Sequence, residues 1–294
     1  MNEMFTVRQS FRTLLWCCLL LPCMALTAEV PAKTIVYARP IQDGDSSQLY
    51  QVRLLAAALN KMGIRHQLVA SEVPMVQGRS LRTVAEKHGI DVFWSVTTTE
   101  REQLLTPVRF PIDKGLYGWR ILLLSPQQAQ SAPLLQLNDL KKLLLTQGHD
   151  WPDTEILRFN KLKVVPSNQY SSMFEMVSNN RVDAFPRSVL EIWREQAEAK
   201  VQLPVESHLV LYYPTALYYF FSHEQQELAH QVEQGLELML QSGEFEAMFM
   251  QEFGDAIARS KLAERHVIQL RNPLLPTATP LDRTELWYKP TQVQ

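Results

Sequence analysis

Short apolar runs of β type alternate with stretches of helical spacing along most of this chain, and that alternation limits the folds open to it. Residues 34–38 (TIVYA) make a first strand, closed by Arg39-Pro40. A polar turn, Gln42-Asp43-Gly44-Asp45, follows, with Asp45, Ser46 or Ser47 placed to cap the next helix. In that helix Leu49, Val52, Leu55, Ala58 and Leu59 recur at helical spacing. Residues 64–69 read as a second strand, 81–88 as a short helix closed by Gly89, and 90–95 as a third strand. A β-α-β-α-β order is the signature of an open α/β sheet.

A second unit of similar build follows. Residues 118–125 (GWRILLLS) form a strand, and 137–145 read either as a helix or as a helix running into a strand. Residues 151–159 form a helix with Asp150 as its cap and Pro152 in its first turn. Then come a strand at 162–165, a helix at 169–179 and a strand at 182–185. Pro214 separates strands at 209–213 and 218–222, and Ser242-Gly243 joins helices at 225–240 and 244–253. From Asn272 onward Pro273, Pro276, Pro280 and Pro290 predict an extended tail.

The composition agrees with a folded chain: of 294 residues, 46% are hydrophobic and 20% charged. Lys plus Arg number 29 against 31 Asp plus Glu, without the basic excess of a nucleic-acid binder. Arg8 and Arg12 precede an apolar run at residues 14–26 (LLWCCLLLPCMAL), which reads as a secretory signal over residues 1–28. That run is too short to cross ~30 Å of hydrocarbon, which takes about 20 residues. Cys17, Cys18 and Cys23 all lie in it, so the exported chain is expected to be free of cysteine and soluble in the periplasm. Neither G-x-G-x-x-G, G-x-x-x-x-G-K-[ST] nor G-x-S-x-G occurs, and the 7 histidines form no H-E-x-x-H pair. No cofactor and no metal are expected. Glu100 and Glu102 fit an exposed helical face better than a catalytic pair.

Three segments, in order, resemble the bacterial extracellular solute-binding proteins of family 3, the type II periplasmic binding proteins of polar amino-acid importers. They are Gly89-Ile90-Asp91-Val92 with Thr97-Thr98-Thr99-Glu100-Arg101 and Val108-Arg109-Phe110-Pro111; Asn180-Arg181-Val182-Asp183-Ala184; and Leu238-Met239 through Gly243 and Phe245 to Phe253-Gly254. The resemblance covers most of residues 33–257. It implies an α/β fold of two lobes with two hinge crossovers, near 116–119 and 212–215, closing on a ligand like a clamshell. Lobe 1 would comprise residues 29–117 and 213–262, lobe 2 residues 118–212, and a Pro-rich tail residues 263–294.

In that family the arginine at the position of Arg101 clamps the ligand carboxylate in a bidentate pair. Ser95, Thr97 and Thr98 are its hydroxyl neighbours, and the alternative is a surface arginine on a solvated helix start. The stretch from Asp91 to Arg101 is shorter than in the usual amino-acid binders. The aspartate that commonly holds the ligand ammonium, a few residues after Asp183, is missing, and Arg187 stands beside its place. Arg101 and Arg187 in one cleft would favour an anion or a polyhydroxylated ligand over an ammonium. Alternatively Arg187 is a structural ion-pair partner, of Glu191 for instance. Trp94, Tyr117, Trp119, Trp151 and Phe185 lie where a cleft would, as ligand platforms or as core and hinge packing. The turn at 147–151 suits ligand contact, and Arg39 and Asp43 are further candidates.

These features point to a monomeric periplasmic protein that binds a small polar, anionic solute for the membrane permease of an ABC importer. A ligand-presenting module for a membrane sensor, or a scaffold, is the alternative. A dehydratase-like enzyme is the third reading, and it needs Glu175 or His149 facing Arg101.

Overall fold

The computed structural model describes Met1 and residues 32–39, 49–131, 136–198 and 202–290. The signal segment, the caps proposed at Asp45, Ser46 and Ser47, and Asp43 lie outside the described residues. Ala32–Gln294 form one compact unit.

The first half of the fold contains β1 (Lys33–Tyr37), α1 (Tyr50–Lys61), β2 (His66–Ala70), α2 (Gln77–Ala85), β3 (Val92–Val96), α3 (Thr99–Leu104) and β4 (Thr106–Pro107). Then come β5 (Trp119–Leu124), α4 (Pro126–Ala129), α5 (Leu137–Leu140), β6 (Leu144–Gly148), α6 (Pro152–Phe159), β7 (Lys163–Ser167), α7 (Tyr170–Ser178), β8 (Ala184–Ser188) and α8 (Ile192–Glu198). The chain ends with β9 (Leu209–Tyr212), β10 (Leu217–Phe221), α9 (Gln226–Ser242), α10 (Glu244–Ser260) and β11 (His266–Gln269). The ambiguous stretch at 137–145 is thus a one-turn helix followed by a strand.

These strands form two sheets, ordered β2-β1-β3-β10-β4 and β11-β9-β5-β8-β6-β7. In the first, β1 runs parallel to β2 and β3, whereas β10 is antiparallel to β3 and β4. In the second, β6 runs parallel to β7 and β8, and β5 is antiparallel to β8 and β9. The central strands β3, β10, β5 and β8 are buried at every residue, as expected where helices cover both faces. Among the described residues no helix is long and apolar enough to cross a membrane.

Residues 266–269, placed by sequence in the Pro-rich tail of residues 263–294, form β11, parallel to β9 at the edge of the second sheet. This pairing satisfies backbone groups of β9 that would otherwise be open to water or to another chain. Besides the crossings at 116–119 and 212–217, the chain therefore passes between lobes again from α10 into β11, and once more after β11.

The first two crossings are fastened together. Gly118 donates nothing to steric bulk here: a Cβ would lie 2.1 Å from the Tyr213 carbonyl oxygen, so only glycine lets the two passages lie this close. The Tyr213 N–H donates to the Gly118 carbonyl at 3.1 Å. Buried Asp113 ties both passages: one carboxylate oxygen accepts from the Gly115 and Leu217 amides at 3.2 and 3.0 Å, the other from the Tyr117 amide at 2.9 Å. Burial pushes the Asp113 carboxyl up to about 6 even though three main-chain donors pull it down.

Because this pKa lies above the ordinary 3.8, the native state holds a proton that the unfolded state releases. Stability therefore falls as pH rises between these two values. Relative to Asp113→Asn, the wild type should lose up to about 3 kcal/mol over that window. Urea unfolding of both proteins from pH 3.5 to 7 measures this; parallel pH profiles would refute the assignment.

Candidate functional site

Ligands of open α/β sheets sit beyond the carboxyl ends of the strands. Here β3 ends in the Thr97-Thr98 turn into α3, and β6 ends in the His149-Asp150-Trp151 turn into α6. Both turns line one cavity of about 600 Å³ between the lobes. Lobe 1 contributes Thr98, Glu100, Arg101 and Gln103; lobe 2 contributes His149, Asp150, Trp151, Thr154, Glu155 and Arg158; the tail contributes Pro273 and Leu274. The lobes touch at its edge, where the Gly78 amide donates to Asp150 at 3.3 Å.

Local sequence shapes each turn. Thr98 caps α3, its hydroxyl accepting the Arg101 amide at 3.1 Å. At β6, Gly148 allows the Trp151 indole to fold back, since a Cβ would meet that ring at 2.5 Å. The Thr154 hydroxyl donates to the Gly148 carbonyl at 2.7 Å and closes the turn.

Arg101 is buried rather than on a solvated surface, with 9% of its area exposed. Its guanidinium donates to the Ser95 hydroxyl at 2.7 Å, the Val96 carbonyl at 2.6 Å and the Gln77 side chain at 2.6 Å. Nε–H and one Nη2–H take part in none of these bonds. Burial pulls the Arg101 pKa down to about 10, against the fields of Asp150, Asp153 and Glu100, so the group stays charged at neutral pH. Gln77 was not anticipated; it arrives from α2, remote in sequence. Thr97 does not point at the cavity: its hydroxyl donates to Glu102 at 2.7 Å. Glu102 also takes two bonds from Arg109, at 2.9 and 2.7 Å, so it is an ion-pair partner and not part of an exposed acidic face.

Arg187 corrects the anion argument. It lies 2% exposed inside lobe 2, and its fork donates to Glu195 at 2.6 and 2.5 Å, with Glu191 at 3.0 Å. Its planar head lies 4.9 Å from the Trp151 ring centroid and 4.8 Å from that of Phe185. Two carboxylates neutralise the charge that sequence reasoning placed in the cleft, and Arg187 is not among the cavity-lining residues. The sequence held a signal for this: Glu191 and Glu195 stand one helical turn apart, just after Arg187.

The network continues through Arg120, which pairs with Asp153 at 2.6 Å and with Glu191 at 3.6 Å, while the Tyr213 hydroxyl donates to Asp153. Three carboxyl groups thus face two guanidiniums. Burial lifts the Glu191 carboxyl above its usual range, and its Oε2 has no aligned donor. Burial also works against Glu195, but the Arg187 charge and bonds, with the Tyr170 hydroxyl, bring it below the usual range. The charge of Asp153 also acts on Arg101.

The remaining candidates have other places. Trp94 packs in the core against Tyr37 and Phe93, with centroids 6.0 and 5.6 Å away. Tyr117 lies in the hinge turn, its ring under Arg120 at 5.9 Å. Trp119 packs on Tyr212 in a tilted ring pair, with centroids 4.5 Å apart. The Arg39 amide donates to Ser71. Glu175, on α7, is not among the cavity-lining residues, whereas His149 is. Among the described residues no group of His, Cys, Asp and Glu is arranged to hold a metal ion.

Removing one partner of a buried pair leaves an uncompensated charge. Glu195→Gln should therefore cost about 3–5 kcal/mol in urea unfolding at pH 7. Glu191→Gln should cost clearly less, because its carboxyl is the least well held; equal losses would contradict this ranking.

No protein-family profile and no curated protein matches the sequence. Solved structures do match the fold. The probable amino-acid ABC transporter extracellular-binding protein of Bacillus subtilis superposes with a TM-score of 0.60 at 14% identity, covering 76% of this chain and 99% of that one. A Salmonella typhimurium periplasmic binding protein of high arginine specificity gives 0.58 at 14% identity, covering 76% and 100%. A putative ABC-transporter binding component from Wolinella succinogenes, complexed with lysine, gives 0.56 at 13% identity, covering 76% and 95%. The chain has the two-lobed fold of these binding proteins, in line with the sequence resemblance.

Proposed function

We propose that this chain captures a small polar solute of the α-amino-acid class between its lobes and delivers it to the membrane permease of an ABC importer. One observation carries the reading: Arg101 and Asp150, at the carboxyl ends of strands in opposite lobes, line the same cavity. The unused N–H groups of Arg101 suit a carboxylate. Asp150 suits an ammonium and takes the place of the acid missing after Asp183. A ligand holding both groups bridges the lobes and so stabilises closure. The solved structures support this reading, since several are named for amino-acid transport or for a bound amino acid. The segment at residues 1–28 would direct the chain to the periplasm, where it acts as a monomer without catalysis.

The test is a thermal-shift and calorimetric screen of L-amino acids, each beside the carboxylic acid that lacks its amino group. A bound amino acid at 100 times its Kd should add about 2.7 kcal/mol, a shift of several degrees. Arg101→Ala should abolish the shift, and Asp150→Asn should weaken the amino acid while sparing its des-amino analogue. Equal binding of amino acid and analogue to the wild type would overturn the zwitterion reading. Binding that survives Arg101→Ala would overturn the site.

A further inference from the structure

The cavity has one wall that belongs to neither lobe. After β11 the chain runs directly from lobe 2 to lobe 1, and its bonds form an ordered series. Leu270 donates to the Tyr212 carbonyl at 2.7 Å, the last rung on β9. The Arg271 amide donates to Asn160 at 3.0 Å, and the Asn160 side chain donates back to the Arg271 carbonyl at 2.8 Å, which fastens the segment to the end of α6. Asn272 then donates to the Pro214 carbonyl, in the second hinge passage, at 2.8 Å. Leu274 reaches lobe 1, where its carbonyl accepts the Thr99 amide at 3.0 Å, on the first residue of α3. Within five consecutive residues, Leu270, Arg271, Asn272 and Leu274 are thus held by lobe 2, by the hinge and by lobe 1, with Pro273 and Leu274 lining the cavity.

The far end of the tail is anchored on lobe 1. Arg283 forks onto Glu237 of α9, Leu286 is fully buried, Trp287 covers Gly115, and the Tyr288 amide donates to the Lys114 carbonyl at 2.8 Å. The bonds of residues 270–274 therefore run from lobe 2 through the hinge to lobe 1, and rotation of lobe 2 away from lobe 1 pulls on them.

We propose that residues 271–274 are a built-in latch across the ligand cavity, which holds the lobes together and sets through Leu274 how long a side chain the cavity accepts. The selectivity part rests on the amino-acid reading above; the latch itself does not.

The experiment uses the full chain with Cys17, Cys18 and Cys23 changed to serine and spin labels at His88→Cys and Lys142→Cys. These exposed positions precede β3 and β6, at the sheet ends away from the cavity. Without ligand, the parent should give one narrow interlobe distance by pulsed electron resonance. Asn160→Ala with Asn272→Ala should add a second, displaced population, with the circular dichroism spectrum kept. Asn272→Ala alone, a milder change, should show the same displacement at lower population and serves if the double variant does not fold. An unchanged distribution in a folded latch variant overturns the latch.

The second arm titrates L-arginine and L-alanine into parent and Leu274→Ala. Removing the leucine side chain should shift the preference toward arginine by roughly tenfold. An unshifted preference overturns Leu274 as the selector. If neither amino acid binds either protein, the proposed function and the selector fall together, while the distance measurement still decides the latch.

Discussion

Asp113 accepts three main-chain N–H donors in a site closed to water, and the relation between the lobes depends on it. Gly115 and Tyr117 belong to one interlobe passage and Leu217 to the other, so one carboxylate bridges the two passages beyond the β5–β9 pairing. The contact of Gly118 with the Tyr213 carbonyl allows that spacing, and Trp287 from the tail seals it. Such a joint can bend through a few backbone angles while keeping both sheets intact. That is what closure around a ligand requires.

The charges beyond the joint are arranged in two layers. Arg187, Glu195, Arg120 and Asp153 neutralise one another inside lobe 2 and stiffen the wall behind Trp151. Arg101 and Asp150 are left to face the cavity from opposite sides. A buried network of this kind contributes little net stability against its desolvation cost. Its effect is positional: Trp151 is held by Arg187 on one face.

Much of this was legible in the residues. The alternation of strand and helix patterns, the ends of β3 and β6, and the buried strands all carry local signals: side-chain period, a capping threonine, a proline in a first turn. Arg101 stood out only through the resemblance of residues 97–101 to the family pattern, since the local sequence fits a solvated helix start equally well. Less legible was Arg187, since the same residue reads as a cleft cation or as a buried ion pair until the fold of α8 brings Glu195 against it. Gln77 and Leu274 had no local signature at all.

By itself the sequence determined two α/β units and late helices without a sheet of their own, whereas the interrupted first lobe and a cleft with Arg101 in it were implied by the resemblance of three segments to a known family. The α/β units follow from interactions between residues near in the chain, where spacing and side-chain type suffice. Only the tertiary structure decided which charges are neutralised, which acid faces Arg101, and that the proline-rich tail crosses the cavity. Each of these joins residues far apart in the chain, such as Gly78 with Asp150, Asn160 with Arg271 and Thr99 with Leu274. Their pairing is set by how the lobes pack, because a hydrogen bond or ion pair depends on separation in space, about which separation in sequence says nothing.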